Sequence, residues 1–154
     1  MRYLYPSLKQ LQQQHNYGFW GMVIVWTVLW WLQKGTVITD DMMPLARQLQ
    51  AGVAVTGTLL GWGIFGWFKR KLEHVRSLDT IPEKLEAYKK ISYIKWAGLL
   101  FVLAFCAVTY WMLPQTVVLL VAIIFLVLYA AQRPIPSIVA LHIDEQIDRL
   151  FLSK

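Results

Sequence analysis

The chain has 154 residues, of which 57% are hydrophobic and 16% charged, and its formal net charge is +6. Because the apolar residues form long runs instead of periodic stripes, this composition excludes an ordinary soluble domain and indicates a single all-α integral membrane domain over residues 1–154. The basic residues lie beside the apolar runs, which favours positive-inside topology over nucleic-acid binding, and the single cysteine, Cys106, excludes an internal disulfide.

The first segment, residues 3–16, carries Pro6 near a helix start and apolar residues at helical spacing among glutamines, which predicts a short interfacial helix. Residues 17–33 follow as the first transmembrane helix, with aromatic residues near both ends. Since no small-residue cleavage site follows it, we expect this helix to be retained and not removed as a signal peptide. Residues 35–50 then form a loop with a short surface helix beginning at Pro44.

The second predicted span, residues 51–68, is uncharged and carries five glycines. In lipid, small residues allow a neighbouring helix to approach closely, and at about 100° per residue these residues fall on two opposite faces. The pattern predicts a central helix packed on both sides, with Val53, Leu60 and Ile64 turned towards lipid between the two faces. The first face consists of Ala54, Gly57 and Gly61, and the second of Gly52, Thr56, Gly63 and Gly66.

A markedly basic stretch separates this span from the third, residues 91–113. Thr80 and Glu83 have the spacing of a capping box, so we expect one helix to run from about Ile81 through the third span. Because the second span can also extend to Ser77, the two helices should form a hairpin that projects into the cytoplasm.

The fourth predicted span, residues 115–132, is rich in large aliphatic residues and is assigned to the lipid-facing edge of a four-helix bundle. Pro134 and Pro136 should break the helix after Arg133. Ser137 is expected to cap a final amphipathic helix that lies on the membrane or on a partner.

The distribution of Lys and Arg predicts the orientation of the chain in a bacterial inner (plasma) membrane. Residues 69–95 and both termini are assigned to the cytoplasm, and residues 35–50 and 113–116 to the outside. An even number of spans agrees with this arrangement.

The sequence predicts no catalytic, cofactor-binding or metal site. The four spans are treated as free of ionisable residues, with Lys95 counted among the cytoplasmic residues 69–95. The three histidines, His15, His74 and His142, lie on different segments and are interpreted as surface residues.

Two tryptophans lie deep within the predicted spans, at Trp26 and Trp62. Ordinary helix packing is the favoured interpretation for them, and contact with a pigment, a quinone or a lipid is the alternative.

The absence of recognisable chemistry favours a non-catalytic membrane protein that acts as an accessory, assembly or scaffold subunit, with the bilayer and a membrane protein or a second copy as partners. One alternative is a small oligomeric channel or carrier for a neutral solute; the other is a protein that binds anionic lipid through its basic hairpin. The residues assigned to docking are Lys84, Lys89 and Lys90 for charge, Leu72, Val75, Leu85 and Tyr88 on the hairpin, and Val139, Ile143, Ile147 and Leu150 on the terminal helix.

Overall fold

The computed structural model describes residues 2–4, 6–146 and 150–153, and within these it contains five α-helices. A 3-10 turn (Asp40–Met42) precedes the second helix, and two short strands, β1 (Arg2–Leu4) and β2 (Phe151–Ser153), pair antiparallel. The helices are α1 (Pro6–Leu32), α2 (Met43–Arg76), α3 (Ile81–Met112), α4 (Thr116–Ala131) and α5 (Pro136–Ile143).

Helix α3 is the centre of the bundle and contacts the other four helices. Lys89 bonds to Gln10 and Tyr110 packs near Trp26, so α1 and α3 run in the same direction. Helices α2 and α4 run the opposite way. The starts of α1 and α3 and the ends of α2 and α4 therefore meet at one end, together with α5, and we call this the basic end; the loops around residues 33–42 and 113–115 form the far end.

Two helical segments are long and apolar enough to cross a membrane, namely Asp40–Arg76 and Ile81–Met112. Helices α4 and α5 meet at 80° and supply a third candidate only if the bent pair is counted as one broken span. Helix α4 has 16 residues, which correspond to about 24 Å of helix against about 30 Å of hydrocarbon. The structure therefore supports a helical membrane protein with two candidate spans among the described residues, and not all four predicted ones.

Two helices are longer than predicted because the expected breaks are missing. The predicted interfacial helix and first span form the single helix α1, which begins at Pro6 as expected. The surface helix at Pro44 is likewise continuous with α2, because a proline in the first turn lacks an N–H that would be unpaired there anyway. The predicted start of α3 is confirmed, since the Thr80 hydroxyl accepts a bond from the Glu83 N–H at 3.4 Å.

The terminal helix is shorter than predicted. Its N-cap is Ile135 and not Ser137, and α5 ends at Ile143 because Asp144 adopts a left-handed conformation with a φ of 56°. The predicted continuation to residue 150 is therefore wrong, although Leu150 is buried. Ile147 lies outside the described residues.

The two faces of α2 have different neighbours. A Cβ added at Gly57 or Gly61 would lie 3.3 Å from the ring of Phe125 on α4, so this face is packed. Val53, predicted to face lipid, is 1% exposed because it shares the packed side, whereas Leu60 and Ala54 are exposed. On the opposite side of α2, an added Cβ would meet no atom of the described residues within 4 Å at Gly52, Gly63 or Gly66, and we call this side the open face.

Substitution of Gly61 by Val should destabilise the bundle, because the added methyl groups must displace the Phe125 ring in a packed contact. Overpacking of this kind costs about 1–3 kcal/mol. Gly63→Val makes the same change two residues away on the open face and should leave the thermal midpoint in detergent close to that of the parent. Equal destabilisation by the two changes would contradict this assignment of the faces.

Candidate functional site at the basic end and on the open face

The basic end contains a buried cation, Lys95, which is 1% exposed. Its Nζ donates a hydrogen bond to Oε1 of Gln132 at 2.8 Å and lies 3.7 Å from the centroid of the Phe68 ring. Such a ring attracts a desolvated ammonium group, and the amide oxygen accepts a hydrogen bond from it. The prediction that the spans hold no ionisable residue is therefore wrong, since Lys95 lies within residues 91–113 and faces the interior of the bundle.

His15 is also buried, with 2% exposure, so its assignment to the surface is wrong. Its Nε2 lies 2.9 Å from the backbone oxygen of Tyr129, which requires a proton on Nε2. The imidazole stacks on the Tyr129 ring and meets the edge of the buried Trp96 ring. Burial lowers the pKa of His15, against the opposing effect of the bond to Tyr129.

His142 connects α5 to the hairpin formed by α2 and α3. Its Nδ1 lies 3.0 Å from the hydroxyl of Tyr88, and its ring packs against Phe68. Burial lowers the pKa of His142, and the positive charges of Lys95 and Arg76 lower it further. Of the three histidines, only His74 is exposed as predicted.

Two further contacts hold α5 and the segment after it in place. Arg76 donates from Nε to the backbone oxygen of His142 at 2.8 Å. Lys84, which is buried, forms a 2.8 Å ion pair with Glu145. The terminal helix therefore packs on the hairpin of its own chain, through contacts with α2 and α3.

The predicted docking residues are mostly enclosed by these contacts, which is the main correction to the sequence-based site. An apolar helix face must pack on something, and here the hairpin and α5 bury each other's faces. Lys89 is half-buried and bonds to Gln10, and Lys90 is exposed. The buried members are Leu72, Val75, Lys84, Leu85, Tyr88, Val139, Ile143 and Leu150.

Hydrogen bonds at the basic end connect all five described helices. Within the described part of the chain, no group of three or more His, Cys, Asp or Glu side chains is placed to hold a metal ion. The partners of Lys95 and His15, namely Gln132 and Tyr129, were missed by sequence reasoning. The burial of Lys95 could have been suspected from the sequence, because it is a lone lysine next to an apolar run.

The open face of α2 is the second candidate site. Only 17% of the most apolar window of this helix is buried inside the protein, against 50% for α3. Trp62, beside the open face, is 82% exposed, whereas Trp26 is buried near Tyr110. The surface that α2 presents to its surroundings thus combines glycines with large apolar side chains.

Comparison with family models, with curated proteins and with solved structures finds no match to this chain.

Acidification should destabilise the basic end. The pKa values of His15 and His142 in the folded protein lie below the ordinary value for histidine, so the unfolded chain binds protons more readily than the folded one. The free energy of unfolding is therefore highest above about pH 6.5 and falls as the pH drops below that value. His142→Gln should reduce the loss in thermal midpoint between pH 7 and pH 5, whereas His74→Gln, at an exposed histidine, should retain the parental loss. An unchanged pH dependence in His142→Gln would contradict this account.

Proposed function

We propose that this protein is a non-catalytic integral membrane subunit that binds another transmembrane helix along the open face of α2, in an accessory, assembly or scaffold role. The supporting observation is that the glycines on one face of α2 are packed against a neighbouring helix while those on the opposite face are not. Gly57 and Gly61 accommodate Phe125, whereas Gly63 and Gly66 meet open space. Glycine within a helix lowers stability by about 1 kcal/mol relative to alanine. In lipid this loss is offset when the glycine allows a neighbouring helix to approach closely.

We further propose that α1 and α4 cross the bilayer beside α2 and α3, giving four spans with the basic end in the cytoplasm of a bacterial cell. Both helices run along the candidate spans, and the Lys and Arg residues around Lys69–Arg76 lie at the end where the described termini pair. Helix α1 has 27 residues and is long enough to cross the hydrocarbon. A bilayer that thins locally, or snorkelling residues at the helix ends, would accommodate the 16 residues of α4. This orientation exposes the open face to other membrane proteins and to lipid.

The occupant of the open face is a helix of another membrane protein, or of a second copy of this chain. A second copy would also be compatible with the channel alternative, in which the glycine faces of several copies surround a path for a neutral solute. Flux of such solutes through proteoliposomes that contain the wild-type oligomer would distinguish that alternative from an accessory subunit.

The topology is tested by single cysteines placed at Ser77 and Thr36 in a Cys106→Ser background. Both positions are exposed, and they lie at the basic end and the far end respectively. In intact cells a membrane-impermeant maleimide should label the cysteine at position 36 and leave the one at position 77 unlabelled until the membrane is permeabilised. Labelling of both from the same side would overturn the four-span orientation.

The binding role is tested by Gly63→Leu, which places a bulky side chain where a partner helix should approach. Because nothing in the described part of the chain lies within 4 Å of a Cβ added there, the thermal midpoint should be retained while the partner or second copy is lost during purification in mild detergent. Gly21→Leu is the matched control, since Gly21 on α1 also faces open space.

The control protein should purify with the wild-type companion. A wild-type protein that migrates alone after crosslinking in its native membrane would disprove the proposal. So would a Gly63→Leu protein that keeps its companion.

A further inference from the structure

A pocket of about 330 Å³ opens at the far end, between the start of α2 and the start of α4. Its polar walls come from Arg47 and Gln50 on α2 and from Gln115 and Thr116 at the start of α4. Met43 and Val117 contribute apolar surface. It lies at the opposite end of the bundle from the basic end and on a different surface from the open face of α2.

Gln115 is the unusual member of this pocket. The residue is 3% exposed, yet neither its Nε2 nor its Oε1 has a hydrogen-bond partner among the described residues. Leaving such a group buried and unpaired costs about 1–3 kcal/mol. The side chain does not cap α4 either. Gln115 is thus one of the residues that line the cavity, and its amide, buried directly behind the cavity wall, has both its donor and its acceptor unused.

The other donors around the pocket favour an anion. Gln115 is the N-cap of α4, and the first bond onto its backbone oxygen comes from Leu119. The N–H groups of the residues between them have no partner within the helix, and the helix dipole places partial positive charge at this point. Arg47 adds a full positive charge, and among the described residues it forms no ion pair. The acidic residues Asp40 and Asp41 belong to the preceding 3-10 turn and do not line the pocket.

We propose that this pocket binds a phosphate group, either the phosphodiester of a phospholipid headgroup or a free phosphate ion. Arg47, the Gln115 amide nitrogen and the N-terminus of α4 would donate to its oxygens, as guanidinium groups and helix N-termini do in phosphate sites. The Gln115 oxygen would accept from a hydroxyl of the headgroup or of hydrogen phosphate. The apolar surface of Met43 and Val117 suits the carbon atoms that adjoin a lipid phosphate. This proposal does not depend on the partner proposed for α2.

The test uses full-length protein in a neutral detergent, titrated separately with inorganic phosphate, with short-chain phosphatidylglycerol and with the corresponding diacylglycerol. Binding is followed by the rise in thermal midpoint and by native mass spectrometry. Arg47→Gln and Gln115→Leu should each weaken binding about tenfold or more, the loss expected when one charge-assisted or buried hydrogen bond is removed. Lys34→Gln, which removes a cation at the same end but outside the pocket, should bind as the wild type does.

Without ligand, Gln115→Leu should be at least as stable as the parent, because it removes an unpaired buried amide. Arg47 is exposed, so Arg47→Gln remains informative even if Gln115→Leu folds poorly.

Binding of phosphate ion supports a soluble anion as ligand, and binding of phosphatidylglycerol alone supports a lipid headgroup. The proposal would be overturned if phosphate ion did not bind and phosphatidylglycerol raised the thermal midpoint no more than diacylglycerol did. It would also be overturned if the Arg47→Gln and Lys34→Gln proteins bound the phosphate-containing ligand with equal affinity.

Discussion

The burial of Lys95 constrains the arrangement of the whole basic end. A charged ammonium group in a poorly solvated interior is strongly unfavourable unless it is paired, and here its partners come from two other helices, Gln132 after α4 and Phe68 on α2. These contacts fix how far α2, α3 and α4 slide past one another along the bundle axis. Phe68 also touches His142, so the same register decides where α5 can pack. A shift of one helical turn would separate the cation from both partners at once.

Small residues in the described helices have two roles: some allow close packing inside the bundle, and others shape its outer surface. On α2 the glycines that meet Phe125 shorten the distance to α4, whereas those on the open face shape the outer surface. Gly98 on α3 similarly leaves room for Ile64. The same residue type therefore contributes to packing or to surface shape according to its angular position on the helix, and the position of the neighbouring helix decides which.

Local signals in the sequence were sufficient for much of the secondary structure. The cap at Thr80 and the prolines after Arg133 predicted the start of α3 and the end of α4 within a few residues. Burial was harder to predict because it depends on contacts between distant segments. His15 looks like a polar residue near a helix start until Tyr129, which follows it by more than a hundred positions, is known to lie beside it. Likewise an amphipathic face shows that a helix packs on something, but the sequence did not reveal that α5 packs on its own hairpin, so those residues were assigned to a partner.

The pairing of β1 with β2 has a consequence for how the chain matures. Arg2 lies opposite Ser153 in this ladder, so β1 leaves the ribosome long before its partner strand has been made. Ladder contacts this distant in sequence are slow to form because a very large loop must close first. During synthesis the start of α1 and the hairpin can assemble, but the two strands can join only after the membrane helices are in place. Closure of the basic end is therefore a late event, and a chain stalled before residue 151 would leave β1 without its partner strand.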